Sequence, residues 1–309
     1  MQLYYSDTYE LPLPDGHRFP MAKYRRLRQR IAASDALGDA VLRLPPAATL
    51  AQLCRVHHAD YVRRVFAGQL TTLQQRRIGF PWSKKMVLRS LRSTGASIAA
   101  AASALTDAVA VNLAGGTHHA LPDAGSGYCV FNDCAVAARQ MQAERAVQRV
   151  LFVDLDVHQG NGTAAVTAGD SSLFSFSMHG AANYPFRKTA SDLDVALPDG
   201  TGDDAYLERL VESLDRIDAL FAPDFVFYLA GADPWHGDRL GRLALTKGGL
   251  RHRDELVLQR FAARGIPIAV AMAGGYAPDI DDIADIHFQT IEAAAALRRG
   301  RLADAGARR

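Results

Sequence analysis

The chain is 309 residues long, 49% hydrophobic and 22% charged, and its 35 Lys and Arg nearly balance 33 Asp and Glu for a net charge of +2. A chain of this size and balance suits a soluble globular protein with one large core or two modest ones, and it lacks the overall basic footprint that nucleic-acid binding demands. Three cysteines, Cys54, Cys129 and Cys134, have no C-x-x-C spacing and exclude a disulfide framework or a zinc ribbon; no segment reads as a leader or a membrane span, so a cytoplasmic setting is expected.

In chain order, the first 80 residues or so read as helices and loops around the edge of a domain. They hold a pair, His57-His58, in an amphipathic helical context without glycines, where no chemistry is expected. Strand-like runs come next at 108–113, 149–153, 173–177, 224–229 and 266–271, separated by helical patterns near 83–106, 132–145, 203–222, 247–263 and 280–298. This alternation specifies a parallel sheet with helices on both faces. No linker or repeat interrupts it, so the expected fold class is α/β, in a single domain over 1–309. The end from about 298, with Arg298-Arg299-Gly300-Arg301 and Arg308-Arg309, reads as a solvated, frayed tail.

Ligands collect at the carboxyl ends of parallel strands, so the residues just beyond each run are informative. The segments are Gly115-Gly116-Thr117-His118-His119, then Asp154 to Gly162, Met178-His179-Gly180, Ala230-Gly231-Ala232-Asp233 and Ala273-Gly274-Gly275-Tyr276. In Val153-Asp154-Leu155-Asp156-Val157-His158, alternate side chains share a face, which sets Asp154, Asp156 and His158 together while Leu155 and Val157 pack oppositely. Two carboxylates and an imidazole are buried together cheaply only around a cation. With Asp233 as a third ligand, Asp156 and His158 make a site with one position open for water. An isolated D-x-D-x-H also fits a solvated loop with an N-capping Asp, and a lone Tyr276 also fits a half-buried core tyrosine. His118-His119 comes after two glycines at a strand end, where imidazoles beside a metal-activated water are natural acids and bases.

The segments GGTHHALPDAGSGYCVFND, VDLDVHQGNGT, YLAGADPWHGDRLG and AGGY, in this order, resemble the signature segments of the zinc-dependent histone deacetylase family, and the likeness runs from about Phe80 to about Ile291. Within the family, DVHQGNGT together with GDRLGRLALTKGGLRHRDELV is most similar to class IV enzymes and their bacterial relatives. The resemblance implies the single-domain arginase/deacetylase fold and one zinc on Asp156, His158 and Asp233. It makes His118 and His119 the catalytic pair, with His119 the proton shuttle, Asp154 orienting His118 and Asn161 partnering His119. Tyr276 would hydrogen-bond the acyl carbonyl and the Gly127 carbonyl would receive the substrate amide N–H. A structural potassium is implied around Asp154, Asp156, His158, Ser177 and Met178.

Tyr128 and Tyr184 match the walls of an acyl-lysine tunnel, Leu240 its rim, and Trp235 is expected to point into it. Class IV likeness implies long-chain deacylation, which a bulky indole there would oppose. His17-Arg18-Phe19-Pro20 and Lys23 also look like the family, although the likeness assigns Lys23 no role. The expected partner is an acylated lysine in a protein or peptide, or an acylated small molecule, without nucleic acid or membrane; no motif gives the oligomeric state. An acetylpolyamine amidohydrolase remains an alternative, and a non-catalytic acyl-lysine binder a weaker one. A manganese ureohydrolase needs further carboxylates where this chain has Gly160 and Trp235.

Overall fold

The computed structural model describes the backbone of residues 1–307 and side chains through residue 300. The described residues form eight strands: β1 (Gln2–Tyr4), β2 (Val41–Arg43), β3 (Val109–Asn112), β4 (Val150–Asp154), β5 (Leu173–Gly180), β6 (Leu193–Leu197), β7 (Phe225–Leu229) and β8 (Ile268–Ala271). They form one sheet in the order β2-β1-β3-β8-β7-β4-β5-β6, and every neighbouring pair is parallel. The helices are α1 (Lys23–Ala32), α2 (Leu50–Leu53), α3 (Ala59–Ala67), α4 (Thr72–Ile78), α5 (Lys84–Asp107), α6 (Asp133–Ala143), α7 (Asn161–Thr167), α8 (Asp203–Leu220), α9 (Lys247–Ala263) and α10 (Ile280–Ala307).

The central strands are buried on both faces, and their alternate residues feed two different cores. Leu151, Val153, Val226, Tyr228, Ile268 and Val270 pack with Leu27, Leu210, Leu258 and Ile291 of α1, α8, α9 and α10. On the other face, Val150, Phe152, Phe225, Phe227, Ala269 and Ala271 meet Ala100, Ala104, Ala137 and Ala138 of α5 and α6, whose small side chains let both helices lie close to the sheet. Burying each large apolar side chain contributes about 1.5–3 kcal/mol, so the two-faced strands are the rigid base on which the strand-end loops stand.

The N-terminal region departs from expectation. β1 and β2 extend the sheet instead of skirting it; at three residues each they are too short to show a period of two. β6 is a further strand beyond the expected five, although its burial alternates along Leu193–Leu197 as a half-covered edge strand should. Helices α2 and α4 begin with reciprocal capping boxes, Thr49 with Gln52 and Thr71 with Gln74. These N-terminal helices build a third core in which Leu53, Tyr61, Val65 and Ile78 pack with Phe131 and Tyr276.

His57 is not in a helix. It lies between α2 and α3, buried, with Nδ1 3.0 Å from the Leu121 carbonyl while the Asn132 N–H donates to Nε2 at 2.9 Å. The ring thus struts the loop beyond His118-His119. His57→Ala leaves two buried backbone groups without partners and is expected to lower stability by about 3 kcal/mol, while His58→Ala, at an exposed position, changes it little. Burial drops the His57 pKa from 6.5 to about 4. The neutral ring therefore contributes fully above pH 6.5 and loses its contribution as pH falls toward 4. Denaturant unfolding should show the gap between wild type and His57→Ala narrowing from pH 7.5 to pH 5.

At the start of the tail, Arg298 Nη1 is 2.6 Å from the Asp39 carboxylate and Arg299 Nη1 donates to the Ala36 carbonyl at 3.2 Å, and the backbone of α10 runs to Ala307. Arg308 and Arg309 lie outside the described residues. No helix among the described residues is long and apolar enough to cross a membrane.

Candidate active site

Sheet order explains why the predicted residues meet. β3, β8, β7, β4 and β5 are consecutive neighbours, and all run the same way, so the five loops at their carboxyl ends open on one edge of the sheet. His118 and His119 come after β3, Tyr276 after β8, Asp233 after β7, and Asp156 and His158 after β4.

Asp156, His158 and Asp233 are buried, and one potential ligand atom from each lies within 4.8 Å of the others. His158 Nδ1 is 2.9 Å from Asp156 Oδ1 and 3.2 Å from Asp233 Oδ2. The remaining carboxylate oxygens are held by backbone: Val157 N–H donates to Asp233 Oδ1 at 2.9 Å and Gly274 N–H to Asp156 Oδ2 at 2.7 Å. Asp233 Oδ2, 3.2 Å from His158 Nδ1, is buried without a hydrogen bond among the described residues. Burial and the Asp156 charge push the Asp233 carboxyl up to about 7. Burial acts to lower His158, but the two carboxylates carry it up to about 10. This donor set calls for positive charge between the carboxylates, and a dication in place of the His158 proton answers each of these observations. Only glycine fits alongside: a Cβ on Gly274 would stand 1.9 Å from Asp233 Oδ2.

The two histidine rings lie 4.1 Å apart, and their partners differ. His118 Nδ1 is 2.6 Å from Asp154 Oδ2; burial works against its charge, yet Asp154 and Asp156 raise it to about 9. His119 Nδ1 is 2.7 Å from Asn161 Oδ1; burial, then the neighbouring His118 and His158, hold it well below the usual range. An amide oxygen only accepts, so His119 carries its proton on Nδ1 and presents a bare Nε2.

Tyr276 is buried, with its ring 6.0 Å from that of His158, and burial with the Asp156 and Asp233 charges keeps its hydroxyl protonated. Three residues that sequence reasoning did not place hold its loop. Asp238 Oδ2 accepts from the Tyr276 N–H at 2.5 Å, and Arg239 Nε donates to the Tyr276 carbonyl at 3.0 Å. Lys23, buried, donates from Nζ to the Ala273 and Gly275 carbonyls at 3.2 Å and lies 5.3 Å from the centre of the Tyr276 ring. Asp238 and Arg239 come after the third ligand within the recognised GDRLG segment, which was the available signal; Lys23 carried none beyond its likeness to the family.

A cavity of about 540 Å³ opens over this group, with His119, His158 and Tyr276 among its walls. Gly127, Tyr128, Tyr184 and Leu240 line it as expected. Gly127 has a φ of +53°, and a Cβ there would be 2.5 Å from the His119 ring, so glycine is required where the loop passes the site. Its carbonyl accepts from Cys129 Sγ at 3.3 Å, and the Tyr184 hydroxyl is 2.8 Å from Ser126 Oγ. A second, inner cavity of about 30 Å³ lies against His118, His119 and Tyr276, walled by Phe19, Tyr24 and Arg89. It has room for little more than a water molecule.

Trp235 is a correction: it lines neither cavity. Its indole packs against the largest core cluster, with Lys247 Nζ 5.5 Å from the ring centre. The residue after Pro234 turns back toward the core, where an apolar ring is covered. Asp154 and Ser177 are paired in register between β4 and β5, and Met178 is next to Ser177 on β5. Asp154 Oδ1 accepts from the Asp156 N–H at 3.2 Å, while Ser177 Oγ is 3.0 Å from His179 Nδ1.

Comparison with known proteins gives a consistent picture. The histone deacetylase domain profile matches residues 17–291. An uncharacterized protein of Picosynechococcus sp. is 45% identical over 283 residues, spanning 92% of this chain and 94% of that protein. The histone deacetylase-like amidohydrolase of Pseudomonas aeruginosa is 31% identical over 291 residues, 86% of this chain and 74% of its own. Among solved structures, the HDA15 HD domain superposes with a TM-score of 0.81 at 23% identity, covering 96% of this chain and 88% of that one.

Proposed function

Because the chain belongs to the histone deacetylase domain family, we propose that it is a zinc-dependent deacylase that hydrolyses the amide of an acylated lysine. The observation that carries the reading is the buried triad Asp156, His158 and Asp233, with an unpartnered carboxylate oxygen, beside a cavity that His119, His158 and Tyr276 also line. Asp156, His158 and Asp233 would hold the zinc, which would supply Lewis-acid polarisation of the amide carbonyl and a more acidic water. The chain's own groups do the rest. His119 Nε2, bare because Asn161 holds the other nitrogen, accepts a proton from the attacking water and delivers one to the departing lysine amine. His118, held through Nδ1 by Asp154, flanks His119 at the site. The Tyr276 hydroxyl donates to the amide oxygen as negative charge builds on it, and the Gly127 carbonyl accepts the substrate N–H.

Asp154, Asp156 and Ser177, with the main-chain oxygens of His158 and Met178, are an oxygen-rich set suited to a potassium ion, a structural role in this reading. Three free cysteines fit a cytoplasmic setting.

The acyl group is short in this proposal, against the long-chain expectation, because the inner cavity of about 30 Å³ has no room for a fatty chain. With zinc-loaded protein and one peptide sequence, acetyl-lysine should show a kcat/KM at least about tenfold above octanoyl-lysine, the difference expected when a tail too long for the inner space keeps the amide from seating. Trp235→Ala should leave that ratio unchanged. A higher rate on octanoyl-lysine would mean that the Phe19, Tyr24 and Arg89 wall opens, and turnover of acetylated polyamines alone would replace acyl-lysine as the substrate.

A further inference from the structure

We infer that the mouth of the cavity selects acyl-lysines embedded in an acidic stretch of peptide, an inference that rests on the proposed deacylase reading and specifies its substrate class. Five arginines line the outer cavity, Arg18, Arg76, Arg77, Arg239 and Arg242, and among the described residues no Asp or Glu lines it. The whole chain has a net charge of only +2, so this is a local concentration of positive charge. It is assembled from three separate segments: the stretch before α1, the last turn of α4, and the loop after β7. Basic residues often complement the carboxyl end of a helix, which covers Arg76 and Arg77 but none of the other three.

The charge is largely uncompensated. Arg242 meets Asp199 at 3.0 Å with both groups exposed, a pairing weakened by solvent, and Arg239 is bonded to the Tyr276 carbonyl. Arg18, Arg76 and Arg77 make no ion pair or side-chain hydrogen bond among the described residues. All five are exposed, which suits carboxylates spread along a flexible peptide more than a single anion sunk in a pocket. Phe186, 87% exposed on the same wall, adds an apolar contact for a peptide side chain. Arginine forks match carboxylates bidentately, and a mouth of one sign raises the encounter rate of oppositely charged substrates while opposing like-charged ones. Acetylated polyamines, which keep ammonium groups, meet repulsion here.

The test uses the full zinc-loaded chain and three acetyl-lysine peptides that differ only in flanks of Asp and Glu, Gly and Ser, or Lys and Arg. Both kcat/KM and, by fluorescence anisotropy, Kd are measured at low and high salt. The acidic peptide should exceed the basic one by about tenfold or more at low salt, with the ratio shrinking toward one at high salt. Combined Arg18→Glu, Arg76→Glu and Arg77→Glu, confirmed as folded by retained zinc, should invert the order. Equal handling of the three peptides, or a preference that survives the charge reversal, overturns the inference. Inhibition by inorganic phosphate without any peptide preference assigns the mouth to a small anion instead. If no acyl-lysine is hydrolysed, the deacylase reading fails, while the anisotropy ranking still decides the charge preference.

Discussion

Asp233→Ala is expected to reduce bound zinc from about one per chain to near zero and to abolish hydrolysis of acyl-lysine. Asp233 is completely buried and supplies one of three convergent donors, and two ligands do not hold a catalytic zinc against exchange with water. The fold should survive the change. The substitution removes the acceptor of the Val157 N–H, which costs about 1 kcal/mol, but it also removes a carboxyl that burial and Asp156 push up to about 7. Elemental analysis gives the stoichiometry, and thermal unfolding with added zinc gives a second reading: wild type should be stabilised as a protein that binds ligand only when folded, and the variant should not respond. Two manganese per chain in the wild type, with urea released from a guanidino substrate, would overturn the assignment.

Tyr276→Phe should lower kcat by roughly a hundredfold or more while zinc stays bound. The change deletes one hydroxyl and keeps the ring, so the packing of Tyr276 with Phe19 and Tyr128 in the N-terminal core is preserved. Burial, with the Asp156 and Asp233 charges, holds the hydroxyl protonated, so in the proposed reaction it would be a permanent donor for an oxygen that gains negative charge only as the reaction proceeds. A bond that strengthens in the transition state affects kcat and kcat/KM together, and losing an oxyanion donor typically removes about 10²–10³ in rate. Turnover within a fewfold of wild type would take Tyr276 out of the mechanism. A loss of zinc in parallel would show instead that the tyrosine loop, through Gly274 N–H and Asp156, holds the metal ligands in place.

The alternation of strand and helix and the covered parallel sheet were legible in the sequence because each is a local pattern; the candidate ligands and histidines at the strand ends were visible as clusters, and only the family resemblance implied their roles. Periods of two and 3.6 lie within one segment, and D-x-D-x-H or G-G-Y marks a single loop. Tertiary structure decided what depends on segments far apart in the chain. It inserted β8 between β3 and β7, which carries Tyr276 beside His158, and added β1 and β2, each too short to show a period. It turned His57 into a strut and brought Lys23 to the Gly275 carbonyl across 252 positions. It turned Trp235 away from the cavity, kept the inner space small, and gathered arginines from three segments around one opening. A side chain's period is a property of its own backbone. Its neighbours depend on how the faces of the whole sheet are covered, and that is set only when the distant segments pack.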